Sequence, residues 1–451
     1  MAFRLRYEAA LALLEVHVRV QRAAAVLSIA VGILCGSAAA RAEDPQPSPT
    51  PPPSPPPAAT TTSVLASLPI RMYANVNLRQ DYQRPEDKAD TLLDPNRIDG
   101  LLTRLRFGME FKDAKATVSG GIRVSAGETP NPTAPFMRLG DAFRPVTFGL
   151  DQFYVDVRPL KDKSRLYLTL GKMPMPFWRG DRGTARAEMT WDDDISPVGG
   201  VVNLNLYHKD DSSVSLDNVG GYFIVEWFRQ DRFAGLVADT WMVADQLKLK
   251  VKRVTLAASY YDWEHLNSGA RAPSFIPGSS AVLYPATNAF LLRPGTQHTN
   301  AEVEVGGAAF EFVSDRFRIG EVIAQGSVPV GLPWLGRTEA FVLGQYAHNF
   351  SVPQEKNGWG ATLGITGGDL KRKLHPFTLW GTYRKVDADA ALGTFADSDL
   401  GAGTDVKGFE ISADYRLTKN FAPYVSYFHM MVAPLRSTRF NRLFFGVVWD
   451  F

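Results

Sequence analysis

The last twelve residues, 440–451 (FNRLFFGVVWDF), constrain this chain more than any other stretch. Leu443, Phe445, Val447, Trp449 and Phe451 occupy one register, while Arg442, Phe444, Gly446, Val448 and Asp450 occupy the other. A period of two makes this a strand with one continuously apolar, aromatic-rich face. A strand ending on an aromatic residue, with a lipid-compatible face and a face that tolerates Asp, Gly and Arg, suits a transmembrane β-barrel. The competing reading is the final strand of a soluble sandwich.

Charge is informative only after the chain is divided. The whole sequence carries 49 Lys+Arg against 47 Asp+Glu. Five arginines and two glutamates lie within residues 1–42, which leaves 44 basic against 45 acidic groups beyond them. The remaining near-neutral chain gives no reason to expect nucleic acid as a partner. The single cysteine, Cys35, also lies in that leader. Disulfide scaffolds, thiolate metal sites and cysteine nucleophiles are therefore excluded from the rest.

Residues 1–42 read as a signal peptide. Arg4, Arg6, Arg19 and Arg22 precede an uncharged run from Ala23 to Ala40, and Ala38, Ala40 and Ala42 supply small-residue cleavage spacings. An anchoring helix is the competing reading, disfavoured by the alanine-rich end and by Glu43 and Asp44. Residues 43–68 form a Pro-rich spacer that lacks the amide donors and apolar surface for a core. The third unit, 69–451, is the predicted barrel.

No later stretch suits a membrane helix, because the longest uncharged run, 272–292, contains Pro273, Pro277 and Pro285. What recurs is alternation. In 103–112, Leu105, Phe107, Met109 and Phe111 alternate with Arg104, Arg106, Gly108, Glu110 and Lys112. The pattern resumes beyond a turn expected at 113–114, with Arg123 on the polar side. Further strands are predicted at 69–78, 153–158, 166–172, 202–208, 222–228, 236–243, 249–261, 319–328, 338–347, 358–365, 377–385, 406–416 and 422–431. The segment 302–312 would make the total odd. A barrel with both termini on the periplasmic side needs an even number, with short turns there and long loops outside. Short links at 159–164, 209–213, 244–247 and 416–420 alternate with long ones only if 302–312 belongs to a loop. The fold class is therefore all-β, a transmembrane antiparallel β-barrel of about sixteen strands, with eighteen as the alternative.

Several patches resemble the putative porin family of Gram-negative outer membranes: GKMPMPFW at 171–178, MTWDDDISPVGG at 189–200, WMVADQLKLKVKRVTLAASYYDW at 241–263, TLWGTYRKVDADAALGTFADSDL at 378–400 and VKGFEISADYRLTKNFAPYVSYF at 406–428. The resemblance covers most of 69–451 and fails in the spacer and at 268–312. It implies a passive outer-membrane diffusion channel for small hydrophilic solutes and ions, with no cofactor and no catalytic residue. Substrate selectivity for anions or oligosaccharides, with Trp178 and Trp191 lining the passage, is one alternative. A non-conducting adhesin or structural barrel is the other. By the same analogy a homotrimer is expected. The partners are outer-membrane lipid and the barrel assembly machinery, which would read Leu443, Phe445, Val447, Trp449 and Phe451 as an insertion signal.

The long link after Met173 carries Arg179, Asp181, Arg182, Arg186, Trp191, Asp192, Asp193 and Asp194. It is either an exposed outer loop or a segment folded into the lumen that narrows it. A turn at 113–114 would place Arg104 opposite Arg123, with Arg106 beside them. These three would form a basic wall confronting the aspartates, a transverse field that biases permeation. Calcium binding by Asp192–Asp194 is the competing reading. Enzymatic signatures such as G-x-S-x-G, H-E-x-x-H and a P-loop are missing from the sequence.

Overall fold

The structure is a computed structural model that describes residues 70–85, 98–112, 117–126, 136–139, 148–159, 165–181, 185–209, 211–226, 238–268, 274–275, 282–283, 300, 302–305, 309–332, 336, 338–369, 374–399, 403–432 and 439–451. The signal peptide and spacer expected at 1–68, the turn at 113–114 and Arg182 lie outside the described residues.

Sixteen long strands follow in chain order. They are β1 (Ile70–Pro85), β2 (Ile98–Lys112), β3 (Val118–Ala126), β4 (Phe148–Val157), β5 (Leu166–Lys172), β6 (Val198–His208), β7 (Val214–Glu226) and β8 (Thr240–Val251). The second half comprises β9 (Val254–Glu264), β10 (Arg316–Val330), β11 (Thr338–Asn349), β12 (Asn357–Asp369), β13 (Leu374–Val386), β14 (Val406–Tyr415), β15 (Phe421–Val432) and β16 (Arg439–Asp450). Each pairs antiparallel with its sequence neighbour, and β16 pairs with β1, so the sheet closes. Closure gives every strand two partners, the condition for spanning lipid without orphaned backbone groups. Leu78 lies opposite Val447 and Val76 opposite Trp449 at the seam. The Asn75 side-chain amide donates to Asp450 Oδ1 at 2.8 Å, and Phe451 N–H donates to the Ala74 carbonyl at 2.9 Å.

Faces alternate as the sequence demands. In β16, Leu443, Phe445 and Trp449 are exposed outward, while Phe440 and Phe444 are buried on the lumen side. The start of β1, the end of β16 and the short links lie at one end, and the long links, including 173–197, 265–315 and 387–405, lie at the other. The first end is periplasmic and the second extracellular. The segment 302–312 is a separate two-stranded hairpin within the long excursion before β10, and it adds nothing to the barrel.

Two details correct the sequence reading. The turn expected at 244–247 is Lys252–Arg253, with Lys252 at φ 52 in the left-handed region, and β8 runs straight through 244–247. It can do so because Gln246 faces the lumen while Asp245, facing out, accepts from the Asn218 amide at 2.9 Å. Five residues, not two, separate β2 from β3. The register consequently sets Arg123 opposite Gly108 and Arg106 opposite Ser125, so Arg104 and Arg123 do not face each other.

Candidate functional site

Loop 173–197 leaves the outer end of β5 and folds into the lumen. Met173, Phe177, Met189, Trp191 and Ile195 are buried in one cluster with the lumen-facing Phe223, Met242, Tyr261, Trp263, Phe317 and Ile319 of β7–β10. Trp191 sits at its centre, with ring centroids 5.6 Å from Tyr261, 5.4 Å from Trp263 and 6.2 Å from Phe177. Burying side chains of this size contributes about 1.5–3 kcal/mol each. Trp191 is thus a packing anchor and does not line an aqueous passage. Trp178 packs against Ala187, Ala257, Ile323 and Leu343, and its Nε1–H donates to Asp181 Oδ1 at 2.6 Å.

Polar latches fix the loop's backbone. Gln246 on β8 accepts from Trp178 N–H at 2.6 Å and donates to the Trp178 carbonyl at 3.1 Å. Gln325 on β10 accepts from Asp181 N–H at 2.9 Å, and Gln345 on β11 accepts from Met189 N–H at 3.2 Å. Glu321 on β10 accepts from the Thr190 hydroxyl at 2.6 Å and from Gln345 Nε2 at 2.6 Å. These groups occupy alternate, lumen-facing positions of the wall, which is why they converge on one segment. A second loop, 387–405, closes over the first. Phe395 stacks on Trp263 at 5.4 Å, Asp192 N–H donates to the Phe395 carbonyl at 2.7 Å, and Asp397 N–H donates to the Glu188 carbonyl at 3.0 Å.

The three aspartates diverge. Asp192 accepts from Ser398 N–H at 3.1 Å, Asp193 pairs with Arg179 at 3.0 Å and with Arg186, and Asp194 meets Arg104 at 2.5 Å and Arg106 at 2.9 Å. They share no point where an ion could sit, and no group of three or more His, Cys, Asp or Glu able to hold a metal occurs among the described residues. Arg104, Arg106 and Arg123 all face inward. Asp151 on β4 pairs with Arg106 at 3.2 Å and with Arg123 at 2.6 Å. The wall and the acids are therefore in direct contact instead of opposed across a gap.

With the loop against β7–β11, the lumen that remains lies toward β12–β16, β1 and β2. It holds a cavity of about 530 Å³. Arg79, Arg104, Arg186, Arg384 and Arg416 line it together with Glu188, Asp192, Asp193, Asp194, Asp397, Asp399, Glu410 and Asp414, a balance of five guanidinium groups against eight carboxylates. Aromatic rings hold some of these cations: the Arg79 guanidinium lies 4.2 Å from the Phe136 ring and 3.9 Å from Phe444. Arg384 pairs with Asp397 at 2.6 Å.

Crowding of carboxylates perturbs the loop's titration. Burial, with Asp397 adding to it, pushes the Glu188 carboxyl up to about 8. Burial and then Asp194 hold Asp192 well above the usual carboxylate range. Burial alone would raise Asp194 too, but Arg104 and Arg106 bring it below that range. The sequence reading did not single out Gln246, Gln325, Gln345, Glu321, Arg79, Arg384 or the 387–405 loop. The length and acidity of that loop, and the family-like patch at 378–400 that runs through it, were its signals in the sequence.

A closed sixteen-stranded barrel with an inward-folded loop and a charged residual lumen defines an outer-membrane channel. A family model described as putative porin matches residues 70–302 and 335–430, and the chain belongs to that family. It is a porin, and its place is the outer membrane. No curated protein matches the sequence. Among solved structures the barrel is similar to OprB of Pseudomonas putida in its high-pH structure, with TM-score 0.53, 11% identity and coverage of 87% of this chain and 96% of that one. It also matches a porin variant from Rhodopseudomonas blastica, with TM-score 0.42, 12% identity and coverage of 84% and 100%. At these identities the likeness concerns the fold.

Proposed function

We propose that this porin passes small hydrophilic solutes and ions passively, through a residual lumen whose excess of carboxylates favours cations over anions. The observation that carries this is the lining, five guanidinium groups against eight carboxylates, with Arg104, Arg106 and Arg123 already paired to Asp194 and Asp151. Charged walls bias which ions enter a narrow polar passage. Protonation of Glu188 at neutral pH narrows the excess, so the preference is mild. The burial of Trp191 argues against an aromatic slot for oligosaccharides formed by Trp178 and Trp191. The reading includes no catalytic activity. It includes removal of residues 1–42 and insertion directed by the aromatic face of β16. It also includes assembly as a homotrimer.

Reversal potentials across a planar bilayer with a salt gradient test the selectivity. Cation preference supports the assignment, and anion preference would remove it. The Arg104, Arg106 and Arg123 to Ala triple variant should shift selectivity further toward cations, because it leaves Asp194 and Asp151 uncompensated; an unchanged ratio would mean that this wall does not act on permeating ions.

A further inference from the structure

The extracellular rim is asymmetric in charge. On β13 and β14, Lys385 and Lys407 lie directly opposite each other, and both point outward. Lys407 is also opposite Met431 of β15, which is opposite Arg439 of β16, itself exposed on the outer face. Arg84 of β1 lies one outward position below Arg439, opposite Asn441. Asp387 offsets Lys385 at 3.1 Å and Asp99 offsets Arg84 at 3.5 Å, whereas Lys407 and Arg439 form no ion pair among the described residues. Across the barrel the outward Arg316 is matched by both Asp262 and Glu264, and the outward Arg318, two residues deeper on β10 and opposite Asp262, donates to the Ser351 hydroxyl at 3.2 Å. Like charges directly opposite on neighbouring strands are destabilising unless an anion lies between them.

The depth of this row indicates what the anion belongs to. One outward position closer to the membrane Tyr383 lies opposite Phe409, with Trp359 5.3 Å from Tyr383, and one position further down Tyr427 and Tyr82 flank Leu443, so aromatic rings underlie the cations. Such rings mark the boundary between hydrocarbon and headgroups. Two residues along a tilted strand raise the cations by roughly 5–7 Å, to headgroup level. Strand spacing places Lys407 and Arg439 about 10 Å apart, one strand between them.

We propose that this sector binds the phosphate groups of an outer-leaflet glycolipid, with Lys407 and Arg439 as the principal contacts and Lys385 in support. The lipid's acyl chains then lie on the outward apolar face of β13–β16, including Ile411, Val425 and Phe445.

The test uses the folded full barrel in detergent, with lipid retention measured by native mass spectrometry. The probes are diphosphorylated lipid A, the same lipid with its phosphates removed, and inorganic phosphate as competitor. The wild type should retain the diphosphorylated lipid at least tenfold better than the dephosphorylated one, a preference that weakens with salt and survives millimolar phosphate. K407E/R439E should abolish the preference, while K407R and the opposite-side R318E keep it. Unchanged conductance shows that a variant is folded, and K407Q/R439Q replaces the charge reversal if that protein does not fold. Equal retention of both lipids by the wild type, retention of the preference in the folded double variant, or an equal loss in R318E would overturn the assignment. Displacement by inorganic phosphate alone would also overturn it, as it would show a small-anion site.

Discussion

Removing the three wall glutamines should release loop 173–197 from the wall. In a Gln246, Gln325 and Gln345 to Ala triple variant, the N–H and carbonyl of Trp178 and the N–H groups of Asp181 and Met189 lose their wall partners. Each bond contributes about 0.5–1.5 kcal/mol net, so the four together account for about 2–6 kcal/mol of docking. Even the lower figure raises the undocked population roughly thirtyfold. The aromatic anchor around Trp191 stays in place, so the loop should leave the wall over 178–189 and not over its full length. Single-channel recordings should then show excursions to a larger conductance that the wild type lacks, and longer polyethylene glycols should enter the pore. Single Gln to Ala variants should show the same excursions more rarely. A folded triple variant with wild-type conductance, noise and polymer cutoff would refute the latch.

Three further outcomes follow from the same geometry. Because Glu188 holds its proton up to about pH 8, cation preference should grow between pH 7 and 9 as it ionises, and Glu188→Gln should flatten that rise. The sign is that of a raised carboxyl: its proton-linked contribution to docking is present below the ordinary carboxylate range and is lost as pH rises through about 8. Asp194→Asn removes the charge shared by Arg104 and Arg106, each of whose side chains is largely buried. It should weaken loop docking by about 3–5 kcal/mol and move selectivity toward anions, measured as a shifted reversal potential. Deleting Phe451, which stacks on Trp449 at 5.3 Å and ties β16 to Ala74, should lower the yield of inserted barrel while leaving the conductance of inserted channels unchanged. Normal insertion would count against β16 as the signal.

The barrel was legible because alternation and link parity are local and cumulative. A shift of one residue would turn Phe445 and Trp449 into the lumen and Arg442 into lipid, so the terminal strand tolerates a single register. The same logic failed at 244–247, where Asp245 and Gln246 look like a turn. Their polarity is absorbed by partners 27 and 68 residues away, Asn218 and Trp178, which no local pattern displays. The arginine wall was recognisable by face but not by register, since one turn length shifts every pairing between β2 and β3. The inward fold of 173–197 depends on Gln325 and Gln345, far along the chain, and each alone is an ordinary polar lumen residue.

The most direct measurement is single-channel conductance of the refolded protein in a planar bilayer. Stepwise, ohmic openings with a mild cation preference that strengthens above pH 8 are the predicted result. A correctly closed, membrane-inserted barrel that never conducts would contradict the account of loop 173–197 as a constriction and would make it a plug.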